Sequence, residues 1–380
     1  MGRQHSGPCG PAVGVCENRP GGDAGALCGH GSESMADRIA FITGVTGQDG
    51  AYLARALLAR DYRVVGGVRR SASSNVWRLE ELGILHHERL SLAHFDLLDA
   101  GGAAAVLDRV RPHEVYNLGA QSSVSASFEE PMLTLQTVGA GPLQLLDAIR
   151  VIDPTIRFYQ ASSSEMFGRA RTAPQDEDTP FCPRTPYGAA KVYAHWISVN
   201  YRETYGLFIC SGILFNHESP LRSLEFVTRK ITDGVAKIRL GKMDCLRLGN
   251  LDARRDWGYA PEYVDAMIKM MQAQSPDTYV LSTGRVATIR DFATLAFRAA
   301  GTEIVFQGSG VDEIAVEKDS GRVIIRVDPR FYRPAEVERL VGNPARARAA
   351  LGWEPSTPLD RICTEMVAAD LRRNAAGQSL

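Results

Sequence analysis

The sequence predicts an α/β fold, a doubly wound parallel (Rossmann) sheet with a smaller C-terminal substrate-binding lobe. Three observations predict it. From Arg38 to about Phe215, short apolar runs alternate with amphipathic helical stretches, the pattern of a parallel sheet covered on both faces. A glycine triplet, Gly44-x-x-Gly47-x-x-Gly50, stands between the first apolar run and the first helical stretch, where a dinucleotide-binding turn belongs. Tyr187 and Lys191 stand four residues apart directly after Pro186, so one helix presents both on a single face.

The elements follow in order. Residues 38–43 read as a short buried strand, 44–50 as the turn and 51–60 as an amphipathic helix. Residues 63–68, 90–95 and 114–118 are the next strands, with a helix over 103–110 before the last of them. Residues 132–151 read as one long helix, 156–161 as the fifth strand, 187–205 as the helix bearing Tyr187 and 208–215 as the sixth strand. Beyond Asn216 the rhythm loosens. Residues 226–240, 261–271 and 289–299 read as helices, and 246–249 as a strand end. A last helix is expected near Pro358, with Thr357 as its N-cap and the proline in its first turn. Some of these later pieces are expected to cross back and complete the sheet.

The 380 residues are 44% hydrophobic and 23% charged, with a formal net charge of −1. This is ordinary globular composition. It offers no basic excess for nucleic acid or an anionic membrane surface, and no apolar run approaches the ~18 residues of a membrane span. Seven cysteines without a CxxC pair fit a reducing cytoplasm better than a disulfide framework or a zinc cluster. The residues before Met35 are rich in Gly, Pro and polar side chains and lack a signal peptide's apolar centre. They read as a disordered tail or a mis-assigned start, rather than as a metal tract of Cys9, Cys16, Cys28 and His30, so no metal site is predicted.

The glycine turn lets the backbone approach a pyrophosphate whose charge a helix N-terminus favours. Its GxxGxxG spacing points to the short-chain dehydrogenase/reductase class. The second strand ends in Val68-Arg69-Arg70-Ser71, where an acid usually holds the ribose hydroxyls of NAD. Two arginines there suit a 2′-phosphate through charge-assisted bonds, which predicts NADP. Asp96-Leu97 ends the third strand, where a carboxylate can hold the adenine amino group. Leu118-Gly-Ala-Gln-Ser122 ends the fourth, beside the expected nicotinamide ribose.

The stretch ASSSEMFGRARTAPQDEDTPFCPRTPYGAAK, residues 161–191, carries the chemistry. A phenol with a pKa near ~10 is a poor base at neutral pH. A nearby ammonium favours the phenolate, so Lys191 is expected to bring Tyr187 into range for general base work and to reach a ribose hydroxyl. Glu165, two residues past the hydroxyl of Ser163, supplies a second acid/base. Arg229, Lys230, Arg254, Arg255 and Arg333 offer charge for a diphosphate. Asp256, Trp257 and Pro334 read as structural, and His217 as a contact for the nicotinamide amide.

On these and further motifs, among them GVTGQDGAYLA, VRRSAS, VYNLGAQSSVSASF, FYQASSSEMFG, PRTPYGAAK, ILFNHESP and LGNLDARRDWGYAPEYV, the chain from Ile39 to about Arg373 resembles the extended short-chain dehydrogenases that act on nucleotide sugars, and within them the GDP-mannose 4,6-dehydratases. The resemblance implies a catalytic set of Ser163, Glu165, Tyr187 and Lys191. It implies cofactor contacts at Gly44, Val45, Thr46, Gly47, Gln48 and Asp49; at Arg69, Arg70, Ser71 and Ala72; at Asp96 and Leu97; at Leu118, Gly119, Ala120, Gln121 and Ser122; and at Lys191, His217 and Arg222. It implies substrate contacts at Ser123, Asn216, Lys230, Arg255 and Arg333. It divides the chain into residues 1–35 (tail or mis-assigned start), 36–215 (NADP-binding domain with the catalytic residues) and 216–380 (mainly a nucleotide-sugar-binding lobe). The pattern departs from the family at Ser163, where Thr is common, at Ala72, where Ser is common, and at Leu133, where Tyr is common. Residues 308–326 resemble an insert found in only some relatives.

The implied reaction is an internal redox dehydration of a GDP-sugar. Tyr187 removes the C4 hydroxyl proton, Glu165 takes the C5 proton and helps the C6 hydroxyl leave, and Ser163 stabilises charge at the C4 oxygen. Glu165 discriminates this reading from a nucleotide-sugar epimerase or 4-reductase, which needs no second acid/base. A non-catalytic NADP sensor is a further alternative, against which Tyr187 and Lys191 both stand. The sugar is left open between mannose and a manno-heptose. The resemblance also implies a homodimer or homotetramer, with residues 69–78 near a subunit contact.

Overall fold

The computed structural model describes residues 38–70, 75–332 and 340–378, and all of them belong to one compact unit, Met35–Leu380. The N-terminal stretch with Cys9, Cys16, Cys28 and His30 lies outside the described residues, as do Ser71, Ala72, Arg333 and Pro334.

The first half alternates strand and helix: β1 Ile39–Thr43, α1 Gln48–Leu58, β2 Arg63–Val68, α2 Trp77–Glu81, β3 Leu90–His94, α3 Ala100–Val110, β4 Glu114–Asn117, α4 Val124–Glu129, α5 Pro131–Thr134, a π-helical segment Leu135–Ala140, α6 Gly141–Ile152, β5 Arg157–Ser163, a 3₁₀ turn Ser164–Met166, α7 Pro186–Tyr205 and β6 Ile209–Leu214. The second half follows with β7 Asn216–Glu218, α8 Val227–Arg239, β8 Leu246–Leu248, β9 Arg254–Arg255, β10 Trp257–Tyr259, α9 Ala260–Gln272, β11 Thr278–Leu281, β12 Ala287–Thr288, α10 Ile289–Ala299, β13 Ile304–Gln307, β14 Ile314–Glu317, β15 Val323–Val327, α11 Ala345–Leu351 and α12 Leu359–Ala375.

Seven strands form one parallel sheet in the order β11-β6-β5-β4-β1-β2-β3. The order reverses between β1 and β4, the topological switch point at which open α/β sheets bind ligands beyond their carboxyl ends. Period-two alternation sends neighbouring side chains to opposite faces. Ala40 and Ile42 of β1 pack with α1 and α9 on one face; Phe41, between them, packs with α3 and α6 on the other. Tyr159 and Phe158 of β5 divide the same way. A third apolar cluster, joining α8, α10 and α12 with β8 and β15, forms the core of the later elements.

Two expectations are corrected. The long helix over 132–151 is interrupted, because Pro142 has no N–H for the carbonyl four residues back; the wider π turn of Leu135–Ala140 directly precedes that lost bond. The last helix starts at Leu359, with Pro358 at its N-cap and without a side-chain cap. Thr357 does not cap it; its hydroxyl donates to Glu262 Oε1 at 2.9 Å. Residues 308–326 hold two strands, β14 and the start of β15, in a four-stranded sheet ordered β13-β14-β15-β8.

Candidate active site

The carboxyl ends of β1, β4 and β5 are joined by a buried chain of hydrogen bonds. Thr43 Oγ1 accepts from the backbone N–H groups of Leu118 (3.0 Å) and Gly119 (2.9 Å) and donates to Asn117 Oδ1 at 2.8 Å. Asn117 Nδ2 donates to Gln160 Oε1 at 3.0 Å, and Gln160 Nε2 donates to the Ala161 carbonyl at 3.0 Å. Lys191 Nζ donates to the same carbonyl at 2.7 Å. The chain thus ends on the ammonium of the YxxxK pair. Thr43, Asn117 and Gln160 were not singled out from the sequence; polar residues inside otherwise apolar strands were the available signal.

Helix α7 starts where the sequence places it. Pro186 occupies its first turn, and Thr185 Oγ1 caps it by accepting from the Gly188 N–H at 2.9 Å. Tyr187 and Lys191 are both buried, with Lys191 Nζ 5.7 Å from the Tyr187 ring centroid. Burial pushes the Tyr187 phenol up to about 12; a hydrogen bond from Ser163 opposes the rise, and the nearby Glu165 charge adds to it. Burial brings the Lys191 ammonium down to about 8. The expected depression of the phenol by Lys191 does not appear: desolvation outweighs the hydrogen bond from Ser163 and the Arg222 charge, which favour the phenolate. Ser163 Oγ also accepts from the Glu165 N–H at 3.2 Å, which tightens the 3₁₀ turn carrying that carboxylate.

These four residues line one cavity of about 540 Å³. Leu118, Ala120, Ser122 and Ser123, at the end of β4, line it, as do Asp49, Asn216, His217, Arg222 and Arg255. Arg184, Glu225, Phe226 and Phe128 also line it. The sequence reading passed over these four, although Arg184 stands inside the PRTPYGAAK motif and Phe128 inside VYNLGAQSSVSASF.

The glycine turn lies at the N-terminus of α1. Gly44 has φ +69°, and a Cβ there would lie 2.9 Å from Gly119 Cα. A Cβ on Gly50 would lie 2.3 Å from the Gly44 carbonyl. No side chain caps α1 at Gly47, so its first-turn N–H groups suit an anion such as a cofactor pyrophosphate. Val45 is fully buried. Arg78 holds the turn from outside, donating to the Thr46 carbonyl at 3.1 Å and to the Leu221 carbonyl at 2.8 Å.

Other expected contacts find different partners. Arg69 and Arg70 are exposed at the end of β2. Asp96 Oδ1 accepts from the Leu98 N–H at 3.0 Å, and Leu97 is buried. Gln121 donates to the Ser123 carbonyl at 3.0 Å. Both ring nitrogens of His217 are engaged, with Asp49 (2.8 Å) and with the Phe215 carbonyl (2.7 Å), which leaves neither for a nicotinamide amide. Arg222 pairs with Glu218 at 3.2 Å and lies over the Phe226 ring. Lys230 is not among the described residues that line the cavity; its Nζ lies 3.9 Å from the Phe331 ring centroid. Arg229 is buried and bonded to Asp370 at 2.9 Å. Asp256 accepts from the Thr283 and Gly284 N–H groups at 3.0 and 2.9 Å, a structural turn contact.

The family model described as "GDP-mannose 4,6 dehydratase" matches residues 41–366. The chain is 48% identical over 349 residues to the GDP-mannose 4,6-dehydratase of Yersinia enterocolitica, covering 88% of this chain and 94% of that protein. It is 47% identical over 349 residues to the human GDP-mannose 4,6 dehydratase, covering 90% of this chain and 94% of the relative. Among solved structures, dTDP-glucose 4,6-dehydratase from Bacillus anthracis in complex with NAD superposes with a TM-score of 0.73 at 18% identity, over 89% of this chain and 98% of that one. At that identity the likeness is one of fold.

Proposed function

We propose a full course of reaction from the premise that the chain belongs to the GDP-mannose 4,6-dehydratase family: it is an NADP-dependent hydro-lyase that converts GDP-mannose to GDP-4-keto-6-deoxymannose with loss of water. The observation that carries this reading is Glu165, a second acid/base group in the cavity that holds Ser163, Tyr187 and Lys191. When bound, the nicotinamide supplies a hydride acceptor for C4 and returns that hydride at C6. Tyr187 takes the C4 hydroxyl proton, with Ser163 donating to the oxygen that develops charge. Glu165 takes the C5 proton, made acidic by the 4-keto group, and passes a proton to the departing C6 hydroxyl. Arg255, Ser123 and Asn216 line the same cavity, which supports a role for them in holding the nucleotide sugar.

Incubation with GDP-mannose, followed by mass analysis, tests the reading. A product lighter by one water, with no net cofactor consumed, is expected. A product of unchanged mass would make the protein an epimerase, and GDP-manno-heptose turned over in place of GDP-mannose would replace the sugar.

Arg69 and Arg70, exposed at the end of β2, support NADP over NAD. Replacing both with Ala removes two charge-assisted contacts, each worth roughly 1.5–3 kcal/mol. NADP⁺ affinity is expected to fall by at least tenfold in a direct titration, with NAD⁺ affinity little changed; unaltered NADP⁺ affinity rejects the assignment.

A homo-oligomer is supported by one apolar face. Met132, Leu135, Tyr193 and Trp196 are 43–64% exposed. Leu135 and Tyr193 meet beside Gly139, joining the π segment to α7. A second copy of this chain is the occupant proposed, since an isologous pairing buries the same stripe twice. Among the described residues no helix is long and apolar enough to cross a membrane, and a cytoplasmic site of action fits the cysteine usage.

A further inference from the structure

A carboxylate is out of place in a phosphate-binding turn, because its charge repels the diphosphate that the helix N-terminus attracts. Asp49 stands there nonetheless, in the first turn of α1 and on the cavity wall. Its two oxygens are taken: Oδ1 accepts from Gln48 Nε2 at 3.0 Å, and Oδ2 faces His217 Nε2 at 2.8 Å. The other nitrogen of His217, Nδ1, lies 2.7 Å from the Phe215 carbonyl. A carbonyl oxygen only accepts, so Nδ1 carries a proton. With Asp49 ionised, Nε2 must carry one too, and the ring is then an imidazolium. It stacks on Tyr263 with centroids 4.6 Å apart, a face that suits a cation.

We propose that His217 is a positioning residue for the cofactor diphosphate, a buried cation that cancels the charge of Asp49 inside the phosphate turn. The inference rests on the nucleotide-cofactor reading above. The titration behaviour agrees with it. Burial alone would raise the Asp49 carboxyl and lower the His217 imidazole, yet their mutual attraction and hydrogen bond leave Asp49 below and His217 above the ordinary values, even with the Arg222 cation opposing at His217.

The backbone geometry does not depend on this pair. Gln48 separately ties the turn to the β7 segment, donating to the His217 carbonyl at 3.1 Å and accepting from Ser219 Oγ at 2.7 Å. His217 is also held in the β7–β10 ladder opposite Gly258. The side-chain pair is therefore free to act on charge, and charge is what the test addresses.

NADP⁺ is titrated calorimetrically into the wild-type protein, Asp49→Asn, His217→Gln and the double variant, with thermal unfolding as a check on the fold. His217→Gln keeps a donor toward Asp49 but removes the positive charge. NADP⁺ affinity is expected to fall roughly tenfold or more, the scale of one charge–charge interaction at the edge of a protein. Asp49→Asn lets the imidazole go neutral while the turn's net charge is unchanged, so it should lose less affinity than His217→Gln. The double variant should recover most of what His217→Gln loses. A purely structural clamp predicts a different pattern, losses in the single variants that the double variant does not relieve. The proposal is overturned by that pattern, by His217→Gln at wild-type affinity, or by a double variant no better than His217→Gln. Should His217→Gln unfold, the Asp49→Asn and double variants decide between them, because a charge role makes the double variant bind no more weakly than Asp49→Asn, and a weaker double variant overturns the proposal. A wild-type protein that binds NAD⁺ and not NADP⁺ overturns only the choice of cofactor; the titrations are then read with NAD⁺, which carries the same diphosphate.

Discussion

Tyr187 and Lys191 show how far a residue's surroundings override its neighbours in sequence. Burial holds the phenol up at about 12 and the ammonium down at about 8; in the proposed reaction, proton removal from the sugar draws on the hydrogen bond from Ser163 and the Arg222 charge. In the proposed reaction the second proton path belongs to Glu165. Glu165→Gln keeps the shape and removes the base. This variant is expected to reduce its bound cofactor at the start of a turnover and then stall, with absorbance of the reduced cofactor accumulating and 6-deoxy product falling by about 10²–10⁴-fold. Product at the wild-type rate would remove Glu165 from the mechanism. His195, one turn beyond Lys191, is buried neutral against Ser162 Oγ at 3.0 Å, and burial lowers it to about 4. The unfolded chain takes up this proton near the ordinary imidazole value of about 6.5, while the fold resists it until about pH 4. Stability is therefore present above pH 6.5 and is lost as pH falls toward 4, by up to about 3 kcal/mol. His195→Asn should flatten this part of the curve of unfolding free energy against pH; an unchanged slope would show that another group titrates there.

At the scale of elements, the site depends on strand ends being held level. The chain from Thr43 through Asn117 and Gln160 to the Ala161 carbonyl crosses three strands, and every member is nearly inaccessible to solvent. Asn117→Leu leaves Thr43 without its acceptor and Gln160 without its donor, which should cost about 1–3 kcal/mol in stability. The denaturant midpoint measures this, and an unshifted midpoint would mean that the chain is not structural. The glycine turn works at the same scale. The 2.3 Å approach of a Cβ on Gly50 to the Gly44 carbonyl shows that the third glycine serves the turn's own packing. The interrupted helix before β5 was not legible, because the apolar periodicity of 132–151 continues through Pro142 while the hydrogen-bond ladder does not.

At the scale of the molecule, the apolar face built from the π segment and α7 predicts self-association. Trp196, 55% exposed on α7, is expected to be central to it. Trp196→Glu places a charge in that face and should shift the mass measured by light scattering from oligomer to monomer, since a buried unpaired charge costs several kcal/mol. A wild-type protein that is already monomeric at micromolar concentration would reject the interface.

The sequence by itself determined the βα alternation, the position of the phosphate turn, the start of α7 at Pro186 and the association of Ser163, Glu165, Tyr187 and Lys191 with one motif region. Those features are local: periodicity, proline and glycine stereochemistry and i, i+4 spacing act within a few residues. Only the tertiary structure decided which partners the charged and polar groups take. Asp49 meets His217 across 168 residues and Thr43 meets Asn117 across 74; Lys230 meets Phe331; and the Tyr187 and Lys191 shifts follow burial. Electrostatic roles depend on distance and desolvation in the folded chain, which one-dimensional spacing does not contain.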